Sequence, residues 1–234
     1  MADTYAPTLL NILFVVKNSI AGEEISHEEL KSSAFNAFIG LLLIQLWFQI
    51  VQDTANIVRK NRNPLRSLNI NILPFILAIS LEAMIYLFIR IVIIALALAA
   101  LQPTMASYNF EFVLLGIAAL GFLTTSLFIG LLLAPWATLF SDVRSFLASA
   151  LMPTALLSPI FYFPVTEQGN FLYWVNHILP FASIQSVISD MLFKGETLYA
   201  LPLVIWTSIS IIGALILALL IKHQTPILLE RLGN

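Results

Sequence analysis

The stretch ALMPTALLSPIFYFP, residues 150–164, sets the problem: it is apolar enough to enter a bilayer, yet it contains Pro153, Pro159 and Pro164. A proline inside a helix removes a backbone hydrogen bond and clashes with the carbonyl one turn back, at about 3 kcal/mol in an ordinary helix. In hydrocarbon no water replaces the lost bond, so such a segment survives only beside protein or a water-filled cavity. The prolines therefore point to a break that borders a pathway.

The rest of the chain agrees with a membrane setting. Of 234 residues, 59% are hydrophobic and 10% charged, with a mean hydropathy of +0.93, whereas about a quarter of a soluble domain is charged. The composition is that of a polytopic membrane protein. A net charge of −2, with no basic run interleaved with aromatics, gives no footprint for nucleic acid. Zero cysteines exclude disulfides, thiolate metal sites and a cysteine nucleophile.

Six apolar runs are candidates to cross about 30 Å of hydrocarbon. They cover residues 6–20, 34–51, 70–101, 112–136, 146–163 and 199–221, the first being short and carrying Asn11 and Lys17. A cleaved signal peptide would carry basic residues before its apolar region, whereas residues 1–7 hold only the charge of Asp3, so the run reads as a helix. Residues 168–195 are too polar to span and too apolar for a solvated loop, which suits an interfacial or re-entrant pair of short helices. The expected fold is an all-α membrane protein, one domain over residues 1–234, with six transmembrane helices and that short helical segment between the fifth and sixth.

Arg59, Lys60, Arg62, Arg66, Arg144, Lys222 and Arg231 fall on one side of this topology, against Lys31 and Lys194 on the other. The positive-inside rule then puts both termini in the cytoplasm and the acidic loop with Glu23, Glu24, Glu28 and Glu29 outside.

No motif supports catalysis. Gly116 and Gly121 have the glycine spacing of a phosphate loop, but Phe122 and Leu123 stand where lysine and serine or threonine are needed, so the pair reads as helix packing. His27-Glu28-Glu29 starts like a zinc-protease helix, but Lys31 replaces the second histidine. His27, His177 and His223 have no carboxylate cluster at ligand spacing, and no metal site is expected. Glu82, Tyr86 and Arg90 recur every four residues and form one stripe on the third run. Ionisable groups at bilayer depth cost about 2.5–3.5 kcal/mol on insertion scales, so the stripe either anchors this helix against a neighbour or lines a polar path. Trp47 and Trp136 read as members of an interfacial aromatic belt.

The order of these features resembles the membrane subunit of type-2 ATP-binding-cassette exporters, most closely the permeases that export capsular and related bacterial polysaccharides. Asp142 and Arg144 match a short charged cytoplasmic turn of that family. Ser158, Pro159, Phe161, Tyr162 and Pro164 match its Ser-Pro-x-Phe-Tyr-x-Pro helix end; Asn176 and Pro180 resemble a downstream segment, with His177 where the family keeps proline. Leu81, Glu82, Ile85 and Tyr86 resemble a pattern of the capsule branch. The likeness runs from about residue 35 onward, and the amphipathic helix that usually precedes the family's first span is not seen here.

The resemblance implies a bacterial inner-membrane permease without its own ATPase site. Energy would come from a separate cytoplasmic ABC ATPase, which binds the ATP and Mg, while this chain binds no cofactor. Two copies would pair around a central path, with periplasmic and outer-membrane export partners beyond. It places ATPase coupling at Arg59, Lys60, Arg62 and Arg66 with Asp142 and Arg144. Pro159 and Pro164 would end the fifth helix at an outer gate with Phe161, Tyr162, Tyr173 and Trp174, above a path lined by Glu82, Tyr86 and Arg90. Rigid aromatic rings suit weak, sliding contact with the apolar faces of sugars. Two alternatives stay open: a permease of the same fold for a lipid, drug, teichoic acid or O-antigen, and an ATP-independent secondary carrier, which would show inverted repeats.

Overall fold

Lipid offers the backbone no partners, so a chain this apolar satisfies its own amides within helices. The computed structural model describes residues 27–67, 71–101, 112–164, 171–193 and 198–231, and among them every regular element is helical. In chain order these are α1 (His27–Ala55), α2 (Ile57–Lys60), α3 (Arg62–Ser67), α4 (Leu73–Leu101), α5 (Phe112–Leu139), α6 (Ser141–Ser149), α7 (Leu151–Leu157), α8 (Phe171–Ile178), α9 (Pro180–Phe193) and α10 (Ala200–Arg231).

Among the described residues, four segments are long and apolar enough to cross a membrane: Lys31–Ala55, Leu73–Ala100, Val113–Leu139 and Ala200–Arg231. They correspond to the second, third, fourth and sixth expected runs. The first run, 6–20, lies outside the described residues. The fifth, 146–163, is not one helix but parts of α6 and α7 followed by a turn. The break at Ala150 has a local cause: Pro153 has no N–H to offer the Ser149 carbonyl, so α6 stops there and α7 starts afresh. Within the stretch 168–195 the described residues 171–193 do form two short helices, α8 and α9.

Burial separates the long helices. In its most apolar window α1 is 61% buried and α5 44%, against 11% for α4 and 17% for α10. The spine is therefore α1 against α5, with α10 along the other side of α5 and α4 leaning on the outside. Small residues let the spine close, as expected where lipid tails provide no hydrophobic drive. A Cβ on Gly130 would lie 2.5 Å from Thr54 Cβ and 2.9 Å from the Val51 carbonyl, so only glycine allows α5 to meet α1 there. Gly121 meets Thr207 of α10 in the same way, in keeping with its reading as a packing glycine, whereas Gly116 has nothing within 4 Å.

Hydrogen bonds reinforce both seams. Trp47 Nε1 donates to Thr125 Oγ1 at 3.2 Å, and the Thr124 and Ser210 hydroxyls lie 2.9 Å apart. Trp47 is thus buried in the core, packed on Phe48 and Phe181. The belt reading fails for it because its indole N–H finds a partner inside the bundle. Trp136 is exposed, stacked on Phe140.

Candidate functional site

The break after α7 follows from its sequence. Ser158 precedes Pro159 and is driven out of the helical region to an extended conformation, φ −83° and ψ 153°. The turn that follows leaves carbonyls with no helical partner, and Pro159 and Ile160 are buried. One side chain from α1 takes them. Asn36 Nδ2 lies 3.1 Å from the Pro159 carbonyl, 3.2 Å from that of Ile160 and 3.4 Å from that of Tyr162, and its Oδ1 accepts from Gln185 Nε2 of α9 at 3.3 Å. Asn36 and Gln185 are both almost wholly buried. Gly40, one turn along α1, makes room for Ile160, whose Cγ atoms would lie 2.8 Å from a Cβ at that position.

Across the turn, the Tyr162 hydroxyl donates to the Leu157 carbonyl at 2.6 Å and lies 2.9 Å from Asn176 Oδ1 of α8. Tyr173 lies against His177, ring centroids 4.2 Å apart, and His177 against Tyr199 at 4.8 Å; Trp206 Nε1 donates to the His177 carbonyl at 3.0 Å. Of the residues expected at a gate, Tyr162 is thereby brought to α8, which carries Tyr173. Pro159 is buried in the turn, and half-buried Phe161 packs on the core. Trp174 is exposed, meeting Tyr173 edge-on.

The second helix of this pair runs alongside α1. Its start, Phe181, packs on Trp47, and its end, Phe193, packs on Phe35 and on Phe163 of the turn. Trp47 and Phe35 are twelve residues apart on α1, about 18 Å along the axis. Its buried face is unusually polar, with Ser183, Gln185, Ser186, Ser189 and Asp190 all inside.

At the other end of α1 the basic loop is no solvated tether. Ile57 and Val58 of α2 are wholly buried and Leu65 of α3 nearly so, in a second apolar cluster with Ile72, Leu131 and Ile221. Alternating with these anchors, Arg59, Lys60 and Arg66 are exposed and Arg62 is half-buried; Lys60 pairs with Asp53. Asp142 is exposed in the first turn of α6, where its charge suits the helix dipole, and Arg144 is half-buried with its Nε enclosed.

The stripe on α4 stands apart from both ends. Glu82 and Tyr86 are exposed and border a crevice against Gln49 and Asp53 of α1, while Arg90 is half-buried with Nη1 enclosed. Glu82 is therefore not buried among the described helices.

The sequence profile of the ABC-2 type transporter family matches residues 14–193. The chain belongs to that family. It is a multi-pass membrane transport component, the permease domain of an ABC transporter, and family members generally work with an ABC ATPase. No curated protein matches the chain. The matched part of this ABC-2 chain ends with α9, so it holds the basic end, the break and the α8–α9 pair together. The reading of site residues from sequence missed Asn36, Gln185 and the buried Ile57 and Val58. The available signals were an amide inside an otherwise apolar run and two β-branched residues placed directly before two cations.

Proposed function

We propose that this chain is the membrane permease subunit of an ABC exporter that moves a polysaccharide or a glycolipid-linked polymer across a bacterial inner membrane. Both termini lie in the cytoplasm. A separate ABC ATPase, carrying ATP and Mg, docks on the basic end at Arg59, Lys60, Arg62 and Arg66, with Asp142 and Arg144 beside it. Two copies pair around the path, and export partners in the periplasm and outer membrane receive the cargo.

One observation carries the reading: the broken turn at 158–164 combines a buried Ile160 with exchangeable side-chain hydrogen bonds to its carbonyls, whereas the basic end is fixed by buried aliphatic anchors. A rigid end transmits a push from the ATPase as a body movement, and a turn held by a few directional bonds is the part that yields. In this reading α6 and α7 make a broken fifth crossing, rising from the end of α5 to the level of Gly40, and residues 6–20 supply the first. The α8–α9 pair re-enters the membrane, supported by Phe181 lying at the depth of Trp47 and Phe193 at that of Phe35. Pro159, Phe161, Tyr162, Tyr173 and Trp174 border the outer gate. Glu82, Tyr86 and Arg90, on a largely uncovered helix, face the path or the second copy.

A lipid-bearing cargo gains support from a cavity of about 200 Å³ among α1, α4, α5 and α9, lined by apolar side chains that include Leu43, Leu87, Phe122 and Met191. A free, fully polar chain would find nothing to bond there. Family membership weighs against an ATP-independent carrier.

The test is capture of an ABC ATPase from the source cells by the purified chain. Arg59→Glu with Arg62→Glu should abolish co-purification and export at unchanged permease abundance. Retention of the ATPase with normal export would refute docking at this surface.

A further inference from the structure

Two cavities follow one another along the seam between α4 and α10, and their chemistry changes in the order of a lipid molecule. The lower one, about 420 Å³, opens between α3, the start of α4 and the last turns of α10; Arg66, Asn71, Lys222 and Glu230 line it over Ile72 and Leu229. The upper one, about 290 Å³, is almost wholly apolar, lined by residues that include Ile76, Leu77, Leu131, Ala214, Leu215 and Ala218. The register makes them consecutive. The Ile76 amide bonds to the Ile72 carbonyl, and Lys222 lies one turn below Ala218.

Depth fixes what each cavity meets. Residues 201–221 of α10 carry no charge and measure about 30 Å, the thickness of the hydrocarbon, so Lys222 is the first charge below it. The lower cavity therefore lies among headgroups and the upper one among acyl chains.

We propose that this seam binds one anionic phospholipid, with its phosphate between Arg66 and Lys222 and an acyl chain in the upper groove. A soluble anion would fill only the lower cavity. An apolar helix of a second copy would fill only the upper one and leave both cations unmatched. The two cations and Glu230 sum to one positive charge, which suits a phosphodiester, and the Glu230 carboxylate accepts from a headgroup hydroxyl. A glycerol headgroup has such donors; choline has none. This site does not depend on the cargo; it shares Arg66 with the proposed ATPase surface, so it is tested in the absence of the ATPase.

The experiment uses the full chain in detergent without ATPase, with bound lipid counted by native mass spectrometry. Phosphatidylglycerol and phosphatidylcholine with the same acyl chains are titrated separately, and inorganic phosphate is tried as a competitor. Phosphatidylglycerol should bind roughly tenfold more tightly, and Arg66→Gln with Lys222→Gln should bring the ratio close to one. Leu215→Trp, at an exposed position that leaves the fold intact, should weaken both lipids. A phospholipid with a photoreactive acyl chain should label the peptides around Leu77 and Leu215. Equal binding of the two lipids, full displacement by millimolar phosphate, unchanged binding in Leu215→Trp, or labelling only elsewhere would overturn the proposal.

Discussion

The two ends of α1 are held by different balances of packing and hydrogen bonding. Near Ala55 the chain turns through α2 and α3 on buried Ile57, Val58 and Leu65, with cations between the anchors. Near Asn36 the chain from α7 is held by one amide that serves three carbonyls, around a single fully buried aliphatic side chain, Ile160. Aliphatic packing is non-directional and gives way only by losing volume, whereas hydrogen bonds can be exchanged for others at little net cost. A transporter needs both: an end that moves as a body and an end that opens.

The contrast can be broken most severely at Asn36. Asn36→Leu keeps the side-chain size but orphans the buried carbonyls of Pro159 and Ile160, at about 1–3 kcal/mol each, and leaves Gln185 without its acceptor. A thermal melt in detergent should show a loss of roughly 4 kcal/mol; a change below about 1 kcal/mol would mean that water already serves the turn. Next comes Ile57→Ala, expected to cost about 2–5 kcal/mol by emptying a fully buried site, and to lower ATPase co-purification with it. Ile57→Leu should cost under about 1.5 kcal/mol and keep the partner, since only volume matters there.

Smaller still is the expected stability effect of Pro159→Ala with Pro164→Ala. The chain loses about 0.4–1 kcal/mol per proline through the unfolded state and regains backbone donors, so abundance should hold. Export should fall nonetheless, because the turn would close toward a continuous helix. Normal export by this variant would reduce the prolines to local packing.

Four of the long helices are legible from hydropathy, because composition over twenty residues is what a bilayer reads. So was the break, since proline acts on its own neighbours. What holds the break was not legible: Asn36 and the carbonyls it serves lie more than 120 residues apart, and no local pattern announces such a bond. The basic loop was read by its charge, which hid the apolar residues between the cations. Glu82 was legible as costly but not in its placement, because periodicity gives a stripe and not the identity of what faces it.

The most direct test of the account is to lock the turn. A Cβ built on Gly40 lies 3.0 Å from Ile160 Cβ, short of the usual 3.5–4.5 Å of a disulfide but within a small adjustment, and the chain has no other cysteine. Gly40→Cys with Ile160→Cys, oxidised in cells, should stop export while the ATPase still co-purifies, and reduction should restore it. Export that continues at the parent rate with the disulfide formed would contradict the claim that this turn is the part that opens.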